Sequence, residues 1–143
     1  MAIMQLAENL YIAPQLGEAD AAEAARLGIR SVICNRPNGE ETHQPDYEQV
    51  KSWLAAAGIT ETAWQPVTAP TITLRDGQAF RLLAAASDQP VLAYCRSGTR
   101  SALLWAYGAV ANGTSVADAL AAAARAGVDL SKFAAGLEQA AGR

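Results

Sequence analysis

The sequence is poor in the residues that hold metals and has no footprint for nucleic acid. Its 143 residues include two cysteines, Cys34 and Cys95, and one histidine, His43. That set cannot supply the usual ligands of a structural zinc site, and neither metal nor other cofactor is expected. Two cysteines permit one disulfide, but a reducing cytosol disfavours it as a structural bond. Lys and Arg total 11 against 14 Asp and Glu, a formal charge of −3. Nucleic acid is therefore a poor match as a partner. No apolar run approaches the roughly 18 residues of a membrane helix. The opening residues 1–5, MAIMQ, have neither the basic nor the apolar region of a secretory signal. These absences read as a soluble cytoplasmic protein with no membrane partner. Oligomeric state has no signature in the sequence.

What is present suits a folded core. Hydrophobic residues make up 51% of the chain and charged residues 17%, unlike a disordered polymer. No repeat or long linker divides it, so residues 1–143 are expected to form one domain. Leu10-Tyr11-Ile12, Ser31–Cys34, Thr60–Val67 and Pro90–Tyr94 read as strands, with proline suited to the first position of the last. Between them lie helical patterns. Glu18–Leu27 stops at Gly28, and Asp46 caps a helix carrying Val50, Trp53 and Leu54 that Gly58 closes. Thr73–Ala86 offers Phe80, Leu82 and Leu83 to the core. After Ser101–Val110, Ser115 and Asp118 resemble a capping box opening Val116–Ala126, and Asp129 or Ser131 opens a last helix. Alternation of short strands and helices predicts an α/β sheet of four to five mostly parallel strands with helices on both sides.

Chemistry concentrates in residues 91–101, VLAYCRSGTRS. A buried strand delivers Cys95 to the carboxyl edge of the sheet, where ligands of open α/β sheets bind. A short loop then enters a helix. The amides of Arg96, Ser97, Gly98 and Thr99 and the helix N-terminus can converge as an anion nest. Gly98 permits backbone angles that a branched residue resists. Arg100 is placed to fold over the nest and clamp an oxyanion with two N–H groups. This setting favours negative charge on the Cys95 sulfur, to which Ser101 can donate a further hydrogen bond. Cys34, inside an apolar strand, reads as a small core residue, with a resolving thiol as the alternative. Arg36, Glu40 and Glu41 follow the second strand on the same edge and can rim the pocket. His43 reads as a surface residue. Trp53, Trp64, Trp105 and Phe80 are expected in the core or lining the cleft.

These residues resemble the cysteine-dependent phosphatase and rhodanese superfamilies. The closer similarity is to the bacterial phosphatase-like domain found alone or joined to β-lactamase-like metal hydrolases, the beta-lactamase hydrolase-like protein family. It covers nearly the whole chain, through residues 10–15 (LYIAPQ), 28–37 (GIRSVICNRP), Glu40, Gln44-Pro45, Pro66-Val67 and 94–101 (YCRSGTRS). The resemblance implies a dual-specificity-phosphatase-like fold with the Cys loop between the last parallel strand and a helix. Two departures bear on chemistry. Tyrosine phosphatases place five residues between Cys and Arg; here four intervene, and Ser101 stands where the phosphatase arginine would. The loop that usually carries a general-acid aspartate, residues 67–73 (VTAPTIT), has no carboxylate, and Asp76 is the nearest downstream. Tyr94 replaces the histidine common before the phosphatase cysteine.

The shorter loop looks like that of rhodaneses and makes sulfur transfer through a Cys95 persulfide the first expectation, with a small anionic sulfur donor as substrate. A phosphatase acting on phosphate esters through phosphocysteine is the alternative, and a non-catalytic anion or phosphopeptide module a third. The family's fused members imply a metal-dependent β-lactamase-like hydrolase as partner.

Overall fold

The structure, a computed structural model, describes residues 3–142. Five strands form one sheet in the order β1-β2-β5-β3-β4. They are β1 (Met4–Ala7), β2 (Leu10–Ala13), β3 (Ser31–Cys34), β4 (Glu61–Trp64) and β5 (Val91–Tyr94). β2, β5, β3 and β4 run parallel, and β1 joins the edge antiparallel to β2. β5 is apolar and buried throughout, as a central strand covered on both faces must be. The sequence hides β1 because its first two residues, Met4 and Gln5, are exposed. The turn into β2 holds Asn9 at φ +62°, a conformation asparagine tolerates better than most residues.

Among the described residues, six α-helices cover the sheet. One face packs against α1 (Glu18–Arg26) and α2 (Tyr47–Ala56), through Ala21, Ala24, Val50 and Leu54 against Val32, Leu92 and Tyr94. The other face carries α3 (Leu74–Ala84), α4 (Thr99–Ala111), α5 (Val116–Arg125) and α6 (Ala134–Ala141). α4 lies centrally against the other three, which explains its run of buried residues from Ser101 to Leu104. Asp46 caps α2 by accepting the Gln49 N–H, and Ser115 caps α5 by accepting that of Asp118. α6 starts only after a 3-10 turn at Ser131–Phe133, later than Asp129 or Ser131 suggests. No helix among the described residues is long and apolar enough to cross a membrane.

Two expected core residues are on the surface: Leu82 is 74% and Leu83 38% exposed. α3 meets α4 through Gly77 and Phe80. Leu82 stands two residues, about 200° at 3.6 residues per turn, from Phe80, and Leu83 sits at the margin of the buried stripe. The approach of these helices depends on glycine. A Cβ built on Gly77 would lie 2.6 Å from Tyr107 Cβ and 2.9 Å from the Gly108 backbone nitrogen. Gly77→Ala gains about 1 kcal/mol of helix propensity but overpacks a rigid backbone contact, which typically costs ~1–3 kcal/mol and more when backbone must shift. The variant is expected to unfold at lower urea concentration than the parent, whereas an unchanged or raised midpoint would mean that the contact relaxes freely.

Candidate active site

The parallel strands all end on one edge, and the segments following β2, β3, β4 and β5 converge there. Cys95 is the first residue past β5. Its N–H donates to Ala13 O at 3.3 Å, and Gln15 N–H donates to Arg96 O at 3.2 Å, so the β2 exit braces the loop. Gly98 adopts φ +92°, a region that side-chain-bearing residues avoid, and this turns its N–H back onto Cys95 Sγ at 3.1 Å. α4 begins at the next residue, so its N-terminus faces the loop. The hydroxyl of Ser97 donates to that of Thr99 at 3.2 Å. Cys95 has no exposed surface, but its surroundings are not pure hydrocarbon. An amide is aimed at the sulfur, and Arg100 stands in the first turn of the helix that the loop enters.

Arg100 departs from expectation. Its Nη1 donates to Glu40 Oε2 at 2.8 Å and to Val67 O at 2.9 Å, and its Nη2 donates to Glu40 Oε1 at 2.8 Å. The two N–H groups expected to clamp an oxyanion hold an internal carboxylate, delivered by the β3–α2 loop sixty residues earlier in the chain. Arg36 also differs from a rim residue: it is 1% exposed. Its Nε donates to Glu40 Oε1 at 2.8 Å, its Nη1 to Gln15 Oε1 at 2.9 Å and its Nη2 to Glu41 Oε1. Glu40 therefore lies between two guanidiniums, one buried and one at the mouth. Hydrogen bonds from Arg100, and then from Arg36, hold its carboxyl down at about 2 against the opposing effect of burial. Glu41 is likewise lowered, first by Arg36 and then by Arg96, whose exposed guanidinium is 3.5 Å away.

Other candidates separate. Ser101 is fully buried, and its hydroxyl donates to Asn35 Oδ1 at 2.8 Å rather than to the sulfur. Asp76 is committed to the start of α3, where Oδ2 accepts the Thr73 N–H at 2.9 Å and its hydroxyl at 3.2 Å. It does not join the Cys loop. Cys34 is buried on the α1–α2 face, donating to Arg36 O at 3.4 Å. Burial raises its thiol above the ordinary range. Strand alternation sends Tyr94 to that same face, where it packs among Val32, Leu92 and Leu54. Trp64 is 44% exposed, stacked on Tyr47 at 5.2 Å, with its indole N–H on Arg36 O.

Asn35, absent from the sequence-based candidates, ties the site together. Fully buried, it donates from its backbone to Tyr94 O and from Nδ2 to Gln65 O, and accepts from Val67 N–H and from Ser101. One residue, through its backbone and side chain together, thus joins the exits of β3, β4 and β5 to the first turn of α4. Its signal in the sequence was only a polar residue directly after an apolar strand.

A family profile described as the Beta-lactamase hydrolase-like protein, phosphatase-like domain matches residues 2–112. The chain belongs to this family. The Beta-lactamase hydrolase-like protein of Agrobacterium fabrum is 39% identical over 113 residues, 79% of this chain and 26% of that protein. Its namesake in Xylella fastidiosa strain 9a5c is 35% identical over 140 residues, 97% of this chain and 32% of that protein. The phosphatase-like domain thus spans 26–32% of the length of these curated relatives. A Neisseria meningitidis protein provisionally named a phosphatase superposes with a TM-score of 0.94 at 49% identity, covering 98% of this chain and 99% of that one. Kinase associated phosphatase superposes with a TM-score of 0.71 at 16% identity over 96% of this chain and 91% of its own. TpbA of P. aeruginosa, in complex with pTyr, does so with 0.70 at 19% identity over 98% and 88%. The fold is of the dual-specificity-phosphatase type.

In this phosphatase-like domain the mouth of the site is a shallow basin of about 460 Å³ lined by Glu40, Glu41, Arg96 and Arg100. An adjoining hollow of about 400 Å³ runs past Arg96 and Glu41 to Gln15 and His43. Three arginines and two glutamates leave the cluster one positive charge in excess.

Proposed function

We propose that this domain is a cysteine-dependent phosphatase acting on phosphate esters whose leaving groups depart without protonation. The observation that carries the reading is the Gly98 N–H aimed at Cys95 Sγ, in the loop that leads into Arg100 and α4, on a phosphatase-type fold. Cys95 attacks phosphorus as the thiolate; the S–P bond forms and the bond to the leaving oxygen breaks. Water then attacks phosphocysteine, releasing phosphate, restoring the thiolate and passing its proton to solvent. The loop amides, the α4 N-terminus and Arg100 stabilise charge on the phosphoryl oxygens. Ser97, Thr99 and Arg96 contribute through the loop, and Ser101 holds the first turn of α4 through Asn35.

The carboxylates explain the leaving-group restriction. Glu40 and Glu41 are held ionised by their arginines, and Asp76 caps α3. Neither glutamate is therefore a proton donor at neutral pH, and Asp76 is engaged away from the Cys loop. A general acid ordinarily contributes ~10²–10⁴-fold, so p-nitrophenyl phosphate should exceed an alkyl phosphate in kcat/KM by about that factor. Equal rates for the two esters would overturn the assignment.

Sulfur transfer is retained as a second reading because four residues, rather than five, separate Cys95 from Arg100. The family and its structural neighbours favour the phosphatase. Mass spectrometry after thiosulfate treatment distinguishes them: a one-sulfur gain on Cys95, with no phosphate released from p-nitrophenyl phosphate, would favour sulfur transfer. We also propose a metal-dependent β-lactamase-like hydrolase as a working partner, on the ground that the curated relatives carry additional chain beyond this domain. Binding between the two purified proteins would test it.

A further inference from the structure

We infer that Arg36 and Glu40 form a positioning relay that aims one edge of the Arg100 guanidinium at the bound anion. The inference rests on the reading of Cys95 and Arg100 as an anion-processing pair. A guanidinium has five N–H donors, one on Nε and two on each Nη. Glu40 takes one from Nη1 and one from Nη2, and Val67 O takes the other on Nη1. The two remaining donors are Nε–H and the second hydrogen of Nη2. They lie side by side on one edge, the parallel pair that meets a carboxylate or phosphate in two bonds. Glu40 and Val67 therefore do more than neutralise Arg100: they decide which edge is left for a ligand.

Glu40 is itself held from behind. Oε1, which accepts from Arg100, also accepts from Arg36 Nε at 2.8 Å. Arg36 is 1% exposed and cannot swing, because Gln15 and Glu41 take its other two nitrogens. Trp64 and Cys34 both donate to its backbone carbonyl, tying the residue to the ends of β3 and β4. Orientation thus passes from the sheet edge through Arg36 and Glu40 to Arg100. Arg36 is a positioning residue, its three guanidinium nitrogens taken by Glu40, Gln15 and Glu41.

Alkylation of Cys95 tests this without relying on phosphatase turnover. Iodoacetate carries a carboxylate that an oriented Arg100 can hold; iodoacetamide has none. The ratio of their rates at Cys95, followed by mass spectrometry of the intact chain and its peptides, reports the guidance. Glu40→Gln removes a negative charge, so simple electrostatics raises the iodoacetate rate, whereas loss of positioning lowers it. The relay predicts that the ratio falls on the order of tenfold, the effect of about one charged hydrogen bond. Arg36→Lys keeps the charge, loses the fork and is expected to lower the ratio similarly. The double variant should fall no further than either single one, since both act through the same contact.

General loosening would speed both reagents, and labelling of Cys34, leaving the ratio unchanged; an unchanged or raised ratio in Glu40→Gln overturns the proposal. If Arg36→Lys fails to fold, Glu40→Gln alone decides, because Glu40 lies on a partly exposed loop. A lowered ratio in a protein that releases no phosphate from p-nitrophenyl phosphate would sustain the relay and reject the phosphatase reading. Phosphate release with an unmoved ratio would do the reverse.

Discussion

Cys95→Ser is expected to abolish phosphate release from p-nitrophenyl phosphate, lowering kcat by at least about a thousandfold, because the nucleophile of a covalent mechanism is removed. Serine is nearly isosteric, and its oxygen can still accept the Gly98 N–H, so the loop should keep its shape. A hydroxyl nevertheless stays protonated where a thiol can ionise, and no histidine or free carboxylate among the described residues is bonded to that atom to act as a base. Cys34→Ser provides the contrast. Its buried position offers the Arg36 carbonyl as a partner, so the new hydroxyl is satisfied and most activity should remain. Retention of full activity by Cys95→Ser would remove the basis for any covalent chemistry here.

Arg100→Lys should produce the second largest loss, about a hundredfold or more in kcat/KM for the same ester. Removing one preorganised oxyanion donor commonly costs ~10²–10³-fold. Lysine keeps the positive charge, so a loss of this size would show that the planar fork, rather than charge alone, is needed. The reason lies in the contacts. One guanidinium meets two Glu40 oxygens and the Val67 carbonyl while keeping a second edge free. An ammonium has three donors with no fixed plane and cannot satisfy Glu40 and orient toward a ligand together. A variant within threefold of the parent (about 0.7 kcal/mol by transition-state arithmetic) would place Arg100 outside the reaction and leave it a structural partner of Glu40.

The contrast between Arg100 and Cys95 marks where sequence reading stops. Cys95 was legible because its position follows from local rules: an apolar strand, a break, a glycine and an apolar helix within eleven residues. β3, β5 and the caps at Asp46 and Ser115 were legible for the same reason. β1 was not, since a half-exposed edge strand carries little alternation. The partners of Arg100 and Ser101 were not either. Those residues meet Glu40 and Asn35 across separations of 60 and 66 positions, and no local pattern specifies which loop arrives at a given edge. Asp76 belongs to the helix that follows, as its position suggests: three residues after Thr73 is the spacing of a capping box, and that local demand claims the carboxylate.

By itself the sequence determined an α/β fold with one reactive-looking cysteine at the exit of a buried strand, because strand burial, turn chemistry and helix capping are short-range matters. The tertiary structure alone decided that Arg36 is buried, that Glu40 bridges two arginines, and that Ser101 serves Asn35. Those outcomes depend on the order in which parallel strands assemble, which sets the loops that share an edge and hence the charges that meet there.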